Sequence, residues 1–358
     1  LKQLLKPGIH WLLVFIPITL VLEYSHASAP MIFFSAALSI IPIARLISTS
    51  TENLATYTGD AVGGLLNATF GNFPELIIAI VALKAGLHDM VLASLAGAIL
   101  GNLLLAMGMS FLVGGLKHHN QEYNPASIRV YSSMMMIAVL SLTVPSAFHR
   151  FMGSETPTEH ENALNISLSI VLLIAYVLYL VFMLKTHKDF FKSSEASEEE
   201  HEDRWSLKRS IASLIIASVL AAFMSEVLVG AAEETGEVLG MSSIFIGVVF
   251  LAIVGGAAES ISAIAMGAKN KMDLSIGIAL GSSIQIALFI APMLVLLSLV
   301  VGPHQMNLSF SRALVGSLFL GVILGAMISG DGRSNWYKGV QLVIVYLIIA
   351  MMFYFIPA

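Results

Sequence analysis

Two glutamates occupy settings where a carboxylate is costly. Glu75 closes the stretch Gly71-Asn72-Phe73-Pro74-Glu75, and Glu259 closes Gly255-Gly256-Ala257-Ala258-Glu259, each within a long apolar run. A charge at mid-membrane costs about 3 kcal/mol or more, so an acid kept there is functional by default. For a single glutamate the competing explanation is a packing hydrogen bond between helices. Two acids at matching positions of related segments weaken that explanation. Gly71 and Gly255 lie four residues before each acid, one turn earlier on the same helical face. They permit close helix approach, or a local break that frees carbonyl oxygens toward a site. Pro74 removes a backbone donor and so strengthens the case in the first segment.

Neutral oxygens gather around the same positions. Asn72 precedes Glu75 by three residues and shares its face. Asn102 follows on the next apolar run, and Ser282, Ser283 and Gln285 follow Glu259 in the same way. Each alone reads equally well as an interhelical hydrogen bond. Together they make an oxygen set without His or Cys, suited to a hard cation such as Ca²⁺ rather than Zn²⁺ or Cu⁺. Glu75 and Glu259 are its expected metal ligands. Two facing carboxylates carry a double negative charge that one Ca²⁺ or two protons would cancel, so the two ligands compete. If only the neutralised site can change its access, they must exchange.

The rest of the chain must hold these groups in lipid. Of 358 residues, 57% are hydrophobic and 11% charged, about half the charged share of a soluble domain. This excludes a soluble enzyme and a disordered regulator. The net charge of -5 leaves no basic footprint for nucleic acid, and the absence of Cys excludes disulfides and Cys-zinc sites. No nucleotide-binding or metalloprotease motif is present, so an enzyme is not expected.

A spanning helix needs about 20 mainly apolar residues. Eleven such runs are legible, near 8–24, 30–49, 61–85, 88–115, 127–147, 163–185, 207–231, 243–267, 273–301, 310–329 and 336–356. Residues 49–60 could carry the second helix past the membrane. With the N-terminus inside, fifteen of the 18 Lys and Arg fall on the inner side and only Lys84, Arg150 and Arg312 outside, as the positive-inside rule requires. Lys2, Lys6 and the run ending in Ala27-Ser28-Ala29 also resemble a signal peptide, but Pro30 directly after that site favours a retained helix.

Sliding the chain by 184 positions, the separation of Glu75 and Glu259, also superposes Gly71 on Gly255, Asp89 on Asp273 and Gly97 on Gly281. The third and eighth runs cross in opposite senses, so two five-helix repeats lie upside down relative to each other, the architecture of many secondary transporters. The fold expected is all-α and polytopic, with eleven transmembrane helices: a first helix plus two inverted five-helix repeats. Residues 1–28 hold the N-terminal segment and first helix, 29–185 the first repeat, 186–206 an acidic cytosolic loop, and 207–358 the second repeat.

The stretch Gly63-Gly64-Leu65-Leu66-Asn67-Ala68-Thr69-Phe70-Gly71-Asn72 with Glu75 resembles the cation/proton exchangers of the Ca²⁺/cation antiporter superfamily. So does Lys269-Asn270-Lys271-Met272-Asp273-Leu274 running into Gly281-Ser282-Ser283-Ile284-Gln285. The resemblance spans nearly the whole chain. It implies an eleven-helix fold in which Glu75 and Glu259 bind Ca²⁺ and protons, with Asn102, Ser282 and Gln285 lining the site. It also implies acids near a cytosolic vestibule on the second and seventh helices, matched by Glu52 and Glu226. Two features depart from the family pattern: Gly256 stands where the second motif usually has Asn, and Ser260 where many members have His. Sodium-coupled relatives tend to show a hydroxyl beside the acid together with one more residue between Gly and Glu, a combination neither repeat shows, so proton coupling is expected.

The function implied is Ca²⁺/H⁺ exchange by alternating access. The alternatives are an antiporter for another cation, Na⁺ or Mn²⁺, or a passive cation channel. No cofactor is expected, since Ca²⁺ and H⁺ would be cargo. The partners expected are those ions and membrane lipid, without nucleic acid; a homo-oligomer is left open. The location implied is a prokaryotic plasma membrane or a vacuole-type membrane. The acids between Glu195 and Asp203 read as a solvated loop or, by resemblance, a Ca²⁺-attracting segment, and Glu233, Glu234 and Glu237 read as an outer loop.

Overall fold

The computed structural model describes residues 8–58, 63, 66, 69–152, 158–187 and 205–356. The acidic run within the expected loop 186–206, and parts of the stretch 59–68, lie outside the described residues. The chain is helical almost throughout. Helix α1 covers Ile9–Tyr24, α2 Ala29–Ala55, α3 Phe73–Lys84 and α4 His88–His118. Strand β1 (Asn120–Glu122) is followed by α5 (Pro125–Met152) and α6 (Thr158–Val181). The second half runs through α7 (Leu207–Gly230), α8 (Ala232–Leu239), α9 (Ser243–Gly255), α10 (Ala257–Ala268) and α11 (Met272–Leu297). It ends with α12 (Arg312–Ser329), β2 (Arg333–Asn335) and α13 (Trp336–Tyr354).

Among the described residues, eight helical stretches are long and apolar enough to cross a membrane, and the pair α9–α10 makes nine if its halves count as one span. Helix α1 is shorter than these, and the run that holds α3 is described only in part before Phe73, so a count of eleven is not established. The chain is a multi-pass helical membrane protein.

Burial separates centre from rim. In α4, 83% of the most apolar stretch is buried, and in α11 72%, against 28% in α6 and in α13. The two central helices therefore carry Asn102, Ser282 and Gln285. The rim helices show Ile174, Val177, Leu178, Leu347 and Ile348 outward, as lipid contact demands.

Three features depart from the sequence expectation. Strands β1 and β2 pair antiparallel, with Gln121 opposite Ser334, in a chain read as wholly helical. This ribbon ties the loop after α4 to the one after α12, and Gln121 Nε2 donates to Gly267 O and Asn270 Oδ1 at 2.9 Å each. Glu233, Glu234 and Glu237 sit on the exposed face of α8 rather than in a loop; Gly240, at φ +67°, ends that helix in the left-handed region glycine favours. The eighth run, read as one helix, bends by 61° between α9 and α10.

Small residues set the central packing. A Cβ on Gly97 of α4 would collide with the backbone of Val248 on α9, and one on Gly247 would lie 2.7 Å from Ala93 Cβ and 2.8 Å from Met90 O. The backbones thus cross at glycine on both sides. Gly97→Val is expected to cost about 3 kcal/mol, the upper end for overpacking, because backbone cannot give way. Reduced yield and an earlier thermal melt in detergent would register this; an unchanged melt would contradict it.

Candidate cation-binding site

The two glutamates enter from broken helices. Asn72 stands at the N-cap of α3 and Gly256 at the N-cap of α10, which places Glu75 and Glu259 in the first turn of each. Helix N-termini favour negative charge there through their unpaired N–H groups. Pro74 suits this first turn because its missing N–H would lack a helical partner anyway. Asn72 is a favoured capping type, yet its side chain makes no cap hydrogen bond. Its amide is engaged across the site instead.

A chain of hydrogen bonds links the two repeats. Asn102 Nδ2 donates to Ser282 Oγ at 2.9 Å, and Ser282 Oγ donates to Asn72 Oδ1 at 2.5 Å. Asn72 Nδ2 donates to Gln285 Oε1 at 2.8 Å, and Gln285 Nε2 to Thr69 O at 3.5 Å. All four side chains are buried. The structure thus brings together Asn72, Asn102, Ser282 and Gln285, which the sequence reading had grouped as one oxygen set. Ser283 turns away, donating to Ala279 O at 3.0 Å on its own helix.

Glu75 lies against the second motif. A Cβ on Gly255 would stand 2.8 Å from Glu75 Cγ, and one on Gly256 3.6 Å from Glu75 Oε1 and 3.9 Å from Asn102 Oδ1. The glycines of one break thus admit the acid of the other. Both carboxylates are buried, and Glu75 Oε1, Glu75 Oε2 and Glu259 Oε2 have no hydrogen-bond partner among the described residues. Buried acceptors left unpaired cost about 1–3 kcal/mol each and more when charged, so these oxygens call for protons or a cation. Among the described residues no three of His, Cys, Asp and Glu converge, so the acids at this point are the two glutamates.

Two features were not legible in the sequence. The α4 backbone opens into a π-turn at Gly101–Ala106 and the α11 backbone at Ile286–Ile290, positions that coincide under the 184-residue offset. Such turns carry a residue in excess of the α-helical count and are frequent at functional sites. One contains Asn102 and the other begins just after Gln285. The second feature is a cavity about one water in size beside Glu75, lined by Ile78, Ala98, Leu251 and Ile286, with Ser94 as its other polar side chain.

The two vestibule acids are not brought together. Helices α2 and α7 run antiparallel: Trp205, before α7, donates its N–H to Asn53 Oδ1 at 3.1 Å, near the end of α2. Glu52 lies at that end, accepting from Ser48 Oγ at 3.2 Å. Glu226 lies at the far end of α7, 3.9 Å from Lys84 Nζ. About 20 residues of helix, roughly 30 Å, separate the two levels. The expectation that both acids line one vestibule is corrected: one sits at each end of the pair. The two half-helices run in opposite senses, α3 toward Lys84 and Glu226, α10 toward the end of α2.

A multi-pass bundle with two inverted half-helices meeting at buried carboxylates is the form taken by ion-exchanging membrane proteins. The sequence profile described as sodium/calcium exchanger protein matches residues 28–185 and 209–355, and the chain belongs to that family. It is 41% identical over 342 residues to the Ca(2+)/H(+) antiporter ChaA of Bacillus subtilis, covering 95% of this chain and 96% of that protein. To the Ca(2+)/H(+) antiporter of Aphanothece halophytica it is 38% identical over 362 residues, covering 97% and 96%. The solved structure of native YfkE superposes with a TM-score of 0.83 at 37% identity, over 97% of this chain and 99% of that one.

Proposed function

We propose that this protein is a secondary active transporter exchanging Ca²⁺ for H⁺, with both ions competing for Glu75 and Glu259 as access alternates. The observation that carries the reading is the set of three buried carboxylate oxygens, from repeat-related acids, that have no hydrogen-bond partner among the described residues. Relatives at about 40% identity, named Ca(2+)/H(+) antiporters, support the choice of ions. Asn72, Asn102, Ser282 and Gln285 hold neutral oxygens beside the acids and fix the distance between repeats through their hydrogen bonds. The glycine breaks at Gly71 and Gly255–Gly256 are the joints about which the half-helices tilt.

In this scheme one Ca²⁺ cancels both carboxylates, as do two protons, and the doubly ionised empty site is too costly to cross. Exchange rather than leak follows. The test is Ca²⁺ uptake into proteoliposomes driven by an imposed pH gradient, with Na⁺ and Mn²⁺ as competitors. Uptake against the Ca²⁺ gradient supports the antiporter. Flux only down the Ca²⁺ gradient would make it a channel, and uptake that follows Na⁺ or Mn²⁺ instead would reassign the cargo.

A further inference from the structure

Arg45 is a permanent cation within a spanning helix, in a bundle whose site is acidic. It stands ten residues before the end of α2 at Ala55, about 15 Å along the axis. Its Nη1 donates to Ser262 Oγ at 2.7 Å. Ser262 follows Glu259 by three residues, so the guanidinium is held on the acid's own face of α10, about one turn nearer Lys269. Among the described residues, the charged groups near enough to bear on Glu259 include Glu75 from α3, and Glu52 and Arg45 from α2. Lys117 and His118 of α4 reach only Ala268 O, at the far end of α10.

The arrangement is one-sided. Past Lys208 and Arg209 in its first turn α7 carries no Lys or Arg, and the residue 184 positions before Ser262 is Ile78. One approach to a symmetric site therefore carries a fixed positive charge that the other lacks. A guanidinium stays charged at every working pH, so it cannot serve as a proton carrier. What it does is repel a divalent cation lodged at Glu259. Transport requires an ion to be held loosely enough to leave.

We propose that Arg45 determines how tightly the site holds its cation, weakening the bound state on the α10 side so that the ion is released there. Ser262 is the positioning residue that keeps the guanidinium in place. The inference rests on reading Glu75 and Glu259 as the cation site.

The test is calorimetric binding of Ca²⁺ to the purified protein at alkaline pH, paired with turnover in proteoliposomes. Arg45→Gln is expected to tighten Kd about ten-fold and to slow turnover, because release becomes limiting. Arg45→Lys keeps the charge and restores both values. Ser262→Ala frees the guanidinium and tightens Kd by about three-fold. A purely structural Arg45 would slow turnover without tightening binding, and would not be rescued by lysine; either result overturns the proposal. Should Arg45→Gln fail to fold, an unchanged Kd in Ser262→Ala overturns it. Loss of Ca²⁺ binding in the wild type, or wild-type binding in Glu75→Gln and Glu259→Gln, would instead overturn the underlying site and the proposal with it.

Discussion

Glu75→Gln is expected to reduce pH-driven Ca²⁺ uptake by about 100-fold or more, the equivalent of roughly 3 kcal/mol, while leaving the protein folded. The substitution keeps the shape and removes the charge. Both oxygens of Glu75 are buried without a hydrogen-bond partner, so no structural bond is broken by the exchange. A thermal melt at or above that of the wild type is therefore expected, since a costly ionisable group has been replaced by a neutral one. Glu259→Gln should behave alike, because its Oε2 is equally orphaned. Near-normal uptake by either variant would contradict the assignment. Loss of uptake with a much lower melt would point to a packing role.

Gly255→Val should have the second-largest effect, and by another route. Its first added carbon would come within 2.8 Å of Glu75 Cγ and 3.5 Å of Glu75 Cα and Cδ. The side chain of Glu75 can swing aside, so stability should fall by only about 1–2 kcal/mol. The carboxylate moves with it, and a ligand displaced by about 1 Å costs on the order of 100-fold. Gly256→Ala is the matched control. Its Cβ would meet Glu75 Oε1 at 3.6 Å and Asn102 Oδ1 at 3.9 Å, ordinary contacts, and Ala252 O at 3.2 Å. Uptake by Gly256→Ala should exceed that by Gly255→Val by about ten-fold or more. Equal losses would mean that the break itself, and not the position of Glu75, sets the rate.

The acids could be read from sequence because lipid makes them expensive; in a chain with 11% charged residues, two repeat-related glutamates stand out. The same economy made Asn72, Asn102, Ser282 and Gln285 visible, and the structure joins them in one hydrogen-bonded chain. Features set by tertiary contact were not visible. The π-turns at Gly101–Ala106 and Ile286–Ile290 leave the hydropathy pattern unchanged. A local break at Gly255 was one of the two readings the glycine offered, and hydropathy could not choose it, because the 61° bend interrupts a run that is apolar on both sides. Gly97 was marked by the repeat, but its reason, the backbone of Val248, lies on another helix. Glu52 and Glu226 were paired by resemblance alone, and the antiparallel course of α2 and α7 puts them at opposite ends. Arg45 was counted as an orientation signal; its bond to Ser262 needed the fold to appear.

The central claim is that Ca²⁺ and protons occupy the same carboxylates in turn. Proton release on Ca²⁺ binding tests it most directly, measured with a pH indicator in weakly buffered solution of the purified protein. Where Glu75 and Glu259 are protonated, each bound Ca²⁺ should release about two protons, and Ca²⁺ should bind more tightly as pH rises. Glu75→Gln should release at most about one proton per ion bound. Ca²⁺ binding to the wild type with no proton release at any pH would contradict the account.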